Sequence, residues 1–294
     1  MAAEMREPDA DAMAPFAPGP LLRLTRGDLH VDIAPQAGGR IAQVTRRGSA
    51  QLAGYDPGTA ADATGTDGAA GAARGTMIGW GCYPMLPWAG RIRGGRFDFA
   101  GRRRQLPPNL GAHAIHGLGF ALPWAVQAQD EQAIELSLAL PCDRRWPFGG
   151  RAWQRVELDA DGLLLRLAVQ AGAAAMPVTI GWHPWFRKPR QLAFTPAAMY
   201  SRDQDGIATL PLVAPSPPPW DDCFVNHRPV LLHHASQRLT LRSDCSHWVI
   251  YDQRPDATCV EPQSGPPDAF NLAPSVVPAG ETLTRWFRMS WEDC

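Results

Sequence analysis

Apolar and polar residues alternate along several short stretches of the chain, the period of a strand with one buried face. Ile134, Leu136, Leu138 and Leu140 form one such series, and Leu163, Leu165, Leu167 and Val169 form another. The turn signal Asp159-Ala160-Asp161-Gly162 precedes the second series, so that series pairs with residues 156–158 as a hairpin. Further strand-like runs lie at residues 97–99, 239–241, 248–251 and 286–291, separated by glycine, proline or aspartate turns. With 29 prolines in 294 residues, few windows are long enough for an amphipathic helix, because an internal proline costs a helix about 3 kcal/mol. Many short strands without intervening helices predict an all-β antiparallel sandwich or barrel.

This length suits one main domain, expected over residues 19–294, and no internal repeat divides it. Residues 1–18 mix acidic residues with alanine and proline and read as a disordered tail. The tract at residues 56–75 is too poor in large apolar groups to order itself, and predicts a mobile surface loop whose residues 60–73 are dispensable. The proline-rich residues 215–219 predict a stiff loop that delivers Trp220, Asp221 and Asp222 to a fixed place.

Composition narrows the chemistry. A formal net charge of −1 gives no electrostatic drive toward nucleic acid. Lys188 is the single lysine, which removes a Walker-type phosphate loop, and its charged neighbours Arg187 and Arg190 argue against a Schiff-base pocket. The six cysteines contain no CxxC pair and read as free thiols of a reducing compartment. No basic-then-apolar leader opens the chain and no run of eighteen apolar residues occurs, so a cytoplasmic protein without a membrane partner is expected.

Four clusters carry candidate chemistry. In Gly181-Trp182-His183-Pro184-Trp185-Phe186, a histidine sits among large aromatics and the following proline holds its backbone extended. Such a histidine can exchange a proton near neutrality, and aromatic faces suit the C–H faces of a sugar ring; a core histidine in an aromatic cluster is the competing reading. Glu261, also followed by proline, reads as a carboxylate at a stiff strand end whose burial would raise its pKa toward that of a base. His113 and His116 have a spacing that points to metal on a helix, but the prolines and glycines around them argue against one. His234 and Glu261 would be the additional ligands of such a site. Arg91 could offer a rigid donor fork to a ligand oxygen.

Five motifs in order resemble the aldose 1-epimerase (galactose mutarotase) family: Pro87-Trp88-Ala89-Gly90-Arg91-Ile92, His113-Ala114-Ile115-His116-Gly117, Gly181 to Phe186 as above, Asp221-Asp222-Cys223-Phe224, and Val260-Glu261-Pro262-Gln263-Ser264-Gly265. The resemblance implies a large antiparallel β-sandwich, the galactose mutarotase-like supersandwich. It implies an isomerase that opens and recloses the ring of a monosaccharide substrate without a cofactor or metal. His183 would be the acid and Glu261, as carboxylate, the base, facing each other across the sugar. Arg91 and His116 would bind and polarise the sugar, and Asp221 would hold a hydroxyl, with Asp222 adjacent as the alternative. The family usually has asparagine immediately before the arginine, where this chain has Gly90. A sugar-sensing protein without catalysis and a metal-dependent sugar isomerase are the rival readings. The identity of the aldose and the oligomeric state stay open at this level. Arg102, Arg103 and Arg104 could reach a phosphate, but strand alternation points at least one of them away, which favours an unphosphorylated sugar.

Overall fold

In the computed structural model, which describes residues 11–58 and 73–294, the hairpin expected around residues 159–162 joins strands Arg151–Asp159 and Gly162–Gln170. Leu163, Leu165, Leu167 and Val169 are all buried, as their alternation requires. Gly162 has φ +121°, and a Cβ there would lie 2.4 Å from the Met289 carbonyl oxygen, so the turn admits only glycine. The other apolar runs also form strands: Arg96–Phe99, Ala133–Ala139, Gln237–Ser243, His247–Tyr251 and Thr282–Asp293.

Among the described residues these strands assemble into two large antiparallel sheets of 8 and 11 strands. The smaller runs Ala125–Gln129, Ala133–Ala139, Arg151–Asp159, Gly162–Gln170, Thr282–Asp293, Gln237–Ser243, Val230–His233 and Gln191–Ala193 in spatial order. At the centre of the larger sheet, Cys82–Met85, Gly181–Arg187, Ala257–Gln263, His247–Tyr251 and Asp221–Val225 lie side by side. The inner faces of the two sheets meet in one apolar core, with Phe287 of the smaller sheet against Trp182 and Trp248 of the larger at 5.9 and 6.2 Å between ring centroids. Each fully buried side chain of this kind contributes roughly 1.5–3 kcal/mol. The fold is therefore all-β, with the core between the sheets.

The two most central strands, Gly181–Arg187 and Ala257–Gln263, are buried on both faces. Their second face packs in a separate apolar cluster, where Trp185 and Cys259 lie with Ile78, Ile115 and Phe120, and Ile115 comes from a short two-stranded ladder of Arg91–Ile92 with Ala114–Ile115. The only α-helix among the described residues is the single turn Ala269–Leu272. No helix of the described residues is long and apolar enough to cross a membrane, and all six cysteines are free.

Two expectations about irregular segments change. Residues 1–10 of the expected tail lie outside the described residues, but residues 11–18 pack against the domain instead of fraying. The Ala12 N–H donates to the Asn109 carbonyl at 2.9 Å, its own carbonyl accepts from Ile78, and the Phe16 carbonyl accepts from the Trp80 indole. Backbone pairing of this kind orders a segment too short to build a core of its own. Of the loop expected at 56–75, residues 59–72 lie outside the described residues. Its two ends meet through an Arg74–Asp56 ion pair at 2.7 Å, and Ala73 is buried.

Candidate active site

Proline lacks the N–H that a sheet ladder needs. Pro184 and Pro262 sit on adjacent central strands, which pair at Gly181↔Gln263 and again only from Trp185↔Cys259 onward. Within this unpaired stretch, register sets His183 opposite Glu261, both directed to the face away from the sandwich core. His183 Nε2 lies 3.1 Å from Glu261 Oε1, and both side chains are almost fully buried. Glu261 was expected at a strand end; it lies inside the strand, with neighbours on both sides.

The ring of His183 is fixed by two aromatics on the same face. Tyr83 stacks on it at 4.7 Å and Trp185 lies 5.2 Å away. The Tyr83 hydroxyl and the Trp185 indole N–H both donate to the Ile78 carbonyl, at 3.2 and 2.8 Å. The second carboxylate oxygen of Glu261 accepts from Gln263 Nε2 at 3.1 Å.

Burial pushes the Glu261 carboxyl well above its ordinary range, helped by the negative charge of Asp221. Burial likewise pushes His183 down to about 3, and the nearby cation Arg40 adds to this. Both shifts favour a neutral pair in which the carboxyl O–H donates to the imidazole. This differs from the expected carboxylate and imidazolium. The reason is that burial leaves either group little solvent to stabilise a charge.

A narrow cleft opens above the pair, and Arg91, His116 and Asp221 stand on its walls with Gly90, Tyr251 and Pro267. Arg91 comes from the short two-stranded ladder, and its guanidinium makes no ion pair or hydrogen bond among the described residues. His116 has φ +59°, a left-handed conformation uncommon outside glycine. The turn is held by its own N–H, which donates to the Gly90 carbonyl at 3.0 Å. Gly117 follows, where a Cβ would lie 1.9 Å from the Leu86 oxygen. The His116 ring meets that of His183 edge-on at 5.1 Å, and burial, followed by the competing titration of His183 and the charge of Arg91, holds its pKa well below the ordinary value. Asp221 faces the cleft and also pairs with Arg202 at 2.8 Å. Asp222 has the opposite strand parity and is held by Arg202 Nε at 3.0 Å, so Asp221 is the carboxylate at the cleft.

The alternative metal set is not assembled. His113 accepts from the Gly94 N–H and His234 lines a separate groove beside Cys294, so neither joins His116 and Glu261. The three consecutive arginines are also elsewhere, with Arg103 on Asp98 and Arg104 over the Phe148 ring. Tyr83, Gln263 and Arg40 escape sequence reading. Gln263 was findable, because it lies two residues from Glu261 on a strand and so shares its face. One donor atom from each of His183, Cys259 and Glu261 falls within 4.8 Å of the others, the one such trio among the described residues.

Comparison with known proteins bears on the family and the fold. Residues 42–290 match the sequence profile of aldose 1-epimerase. The chain belongs to the aldose 1-epimerase family. Two Escherichia coli relatives, the uncharacterized proteins YphB and YihR, are 35% identical over 108 residues and 31% identical over 105 residues. These alignments cover about a third of each relative's length, 36% and 34%. Among solved structures, a galactose mutarotase-like protein from Clostridium acetobutylicum superposes with a TM-score of 0.79 at 15% identity, over 93% of this chain and 95% of that one. The galactose 1-epimerase of Lactobacillus acidophilus gives a TM-score of 0.73 at 17% identity, over 93% and 94%. At such identities the likeness is one of fold: the aldose 1-epimerase architecture extends over nearly the whole chain.

Proposed function

We propose that the chain exchanges the α and β anomers of a free, unphosphorylated aldose, with His183 as acid and Glu261 as base. The observation that carries this reading is the His183–Glu261 pair, two proton-exchanging groups 3.1 Å apart at the floor of a cleft walled by Arg91, His116 and Asp221.

Ring opening removes the proton of the C1 hydroxyl, breaks the C1–O5 bond and places a proton on O5. The anomeric and ring oxygens would take the place of the His183–Glu261 hydrogen bond, so the sugar enters between the two groups. Glu261 as carboxylate accepts the O1 proton while His183 as imidazolium donates to O5. One proton arrives and one leaves, so the open-chain aldehyde stands beside a carboxylic acid and a neutral imidazole. That is the protonation state burial favours in the free protein, and it stabilises the site when the ring is open. Rotation about C1–C2 then presents the other carbonyl face, and the two transfers run in reverse. Each positioned transfer contributes about 10² to 10⁴ in rate.

Arg91 and His116 stand where they can bind the sugar oxygens, and Asp221 where it can accept from a hydroxyl. At Gly90 a Cβ would lie 2.8 Å from Pro267, so this wall presents a proline ring in place of the family's amide. Polarimetry of freshly dissolved α-anomers across a panel of aldoses tests the proposal. Acceleration over buffer for at least one free aldose is expected. Tight sugar binding without acceleration for any of them would replace the enzyme by a sugar-binding protein.

A further inference from the structure

Cys259 takes no part in these proton transfers, yet its thiol shares the sheet face of Glu261 two residues along the strand, and it is fully buried. We infer that His183, Cys259 and Glu261 form a site for one divalent cation of the zinc class, and that cation and sugar exclude each other. The exclusion rests on the reading of His183 and Glu261 as the acid–base pair; the site itself does not.

The donor set is one imidazole nitrogen, one thiol sulfur and one carboxylate oxygen, all mutually within 4.8 Å. Zinc binds such donors at about 2.0 Å to nitrogen or oxygen and 2.3 Å to sulfur, which in a tetrahedron sets neighbouring donors roughly 3.3–3.6 Å apart. The observed 3.1 Å between His183 Nε2 and Glu261 Oε1 is already close to that spacing. Three protein ligands would leave the fourth position for water, on the side of the cleft that His183 and Glu261 line. Charge also balances. Binding would release the thiol proton and the carboxyl proton to solvent, and a dication with one thiolate and one carboxylate is neutral, which suits a site whose three donors are buried. Packing of Tyr83 and Trp185 on the His183 ring holds the nitrogen ligand in place. A cation there occupies the lone pairs that move the proton, so turnover stops until it leaves.

Cobalt(II) accepts the same ligands and reports a thiolate ligand by a charge-transfer absorption in the near ultraviolet. It would be titrated into the untagged full chain with the exposed cysteines replaced, Cys142→Ser and Cys294→Ser. The expected result is absorption saturating at about one cobalt per chain, lost in Cys259→Ala and in the shape-conserving Cys259→Ser, and reduced by an excess of the aldose that the chain turns over. Zinc should raise the KM for that aldose without lowering kcat, a chelator should reverse it, and Cys259→Ala should need at least about tenfold more zinc for the same effect, since even changes outside the ligand set cost 10- to 100-fold in affinity. Absence of the absorption in the parent chain, or its persistence in Cys259→Ala, overturns the site. Absorption that the aldose leaves unchanged overturns the exclusion. Cobalt bound through Cys259 in a chain that accelerates no mutarotation supports the site and overturns the proposed function instead.

Discussion

At the scale of single residues, the His183–Glu261 pair is the feature most open to test. Glu261→Gln and His183→Asn should each lower catalysed anomer exchange by about 10² to 10⁴ while sparing the fold, because each keeps shape and hydrogen bonding but ends proton transfer. The double variant should lose little more than the worse single one, as groups acting in one cycle are strongly non-additive. A Glu261→Gln protein that keeps more than about a tenth of its turnover would transfer the base role to Asp221. The same pair shapes stability against pH. The folded pair holds one proton. In the unfolded chain, whose carboxyl and imidazole titrate near the ordinary 4.5 and 6.5, two protons are bound below 4.5, one between, and none above 6.5. The pair's contribution to stability is therefore level between those values. It falls as pH drops below 4.5 toward the folded His183 value of about 3, and falls again as pH rises above 6.5 until Glu261 ionises. Glu261→Gln removes the alkaline loss and lets the lowered His183 act alone, so its denaturation midpoint should decline relative to the parent as pH falls below about 6.5. Urea unfolding of both proteins at several pH values checks this, and parallel curves would contradict it.

At the scale of elements, the two proline interruptions and the His116 turn are what shape the site. Pro184 and Pro262 open the central ladder where the pair sits, and the Leu86 carbonyl accepts from the Leu118 and Gly119 N–H groups to pin the loop that carries His116. Gly117→Ala would push a methyl group into that carbonyl from a left-handed backbone, so it should lower Tm by several degrees and raise KM by displacing His116. Gly101→Ala serves as its control, because Gly101 also has positive φ (+71°) but nothing lies within 4 Å of a Cβ there. Equal losses in the two variants would mean that backbone strain alone accounts for the effect. Period-2 alternation makes the outer strands legible in the sequence, whereas the strands of the site are buried on both faces and carry no alternation to read. The motif Gly181-Trp182-His183-Pro184-Trp185-Phe186 is apolar at nearly every position for that reason.

At the scale of the molecule, Arg40 ties three distant segments together. Its guanidinium is wholly buried and donates to the Ala37, Trp80 and Phe120 carbonyls while lying over the Phe16, Trp80 and Tyr83 rings. Arg40→Ala should cost about 3 kcal/mol or more, since it leaves buried carbonyls without donors. Chemical denaturation measures that loss. The loop between Asp56 and Arg74 stands at the other extreme. Its ends are already joined, so replacing residues 60–72 by a short glycine-serine link should change Tm by no more than a few degrees. Ala73, first grouped with the dispensable residues, is kept because it is buried and its carbonyl accepts from Thr76.

The sequence by itself determined the strand-rich class, the outer hairpins and the identity of the chemical groups, because these depend on local periodicity, turn residues and side-chain type. It also placed His183 and Glu261 in motifs whose following prolines hold each in extended backbone. Only the tertiary structure decided that the two groups touch, that Asp221 and not Asp222 reaches the cleft, and that His113 and His234 do not. Those facts depend on strand register and on which faces are covered. Protonation was decided at the same level: a glutamate becomes a neutral acid only when the sheet, the loops and Asp221 surround it, and these come from segments far apart in the chain.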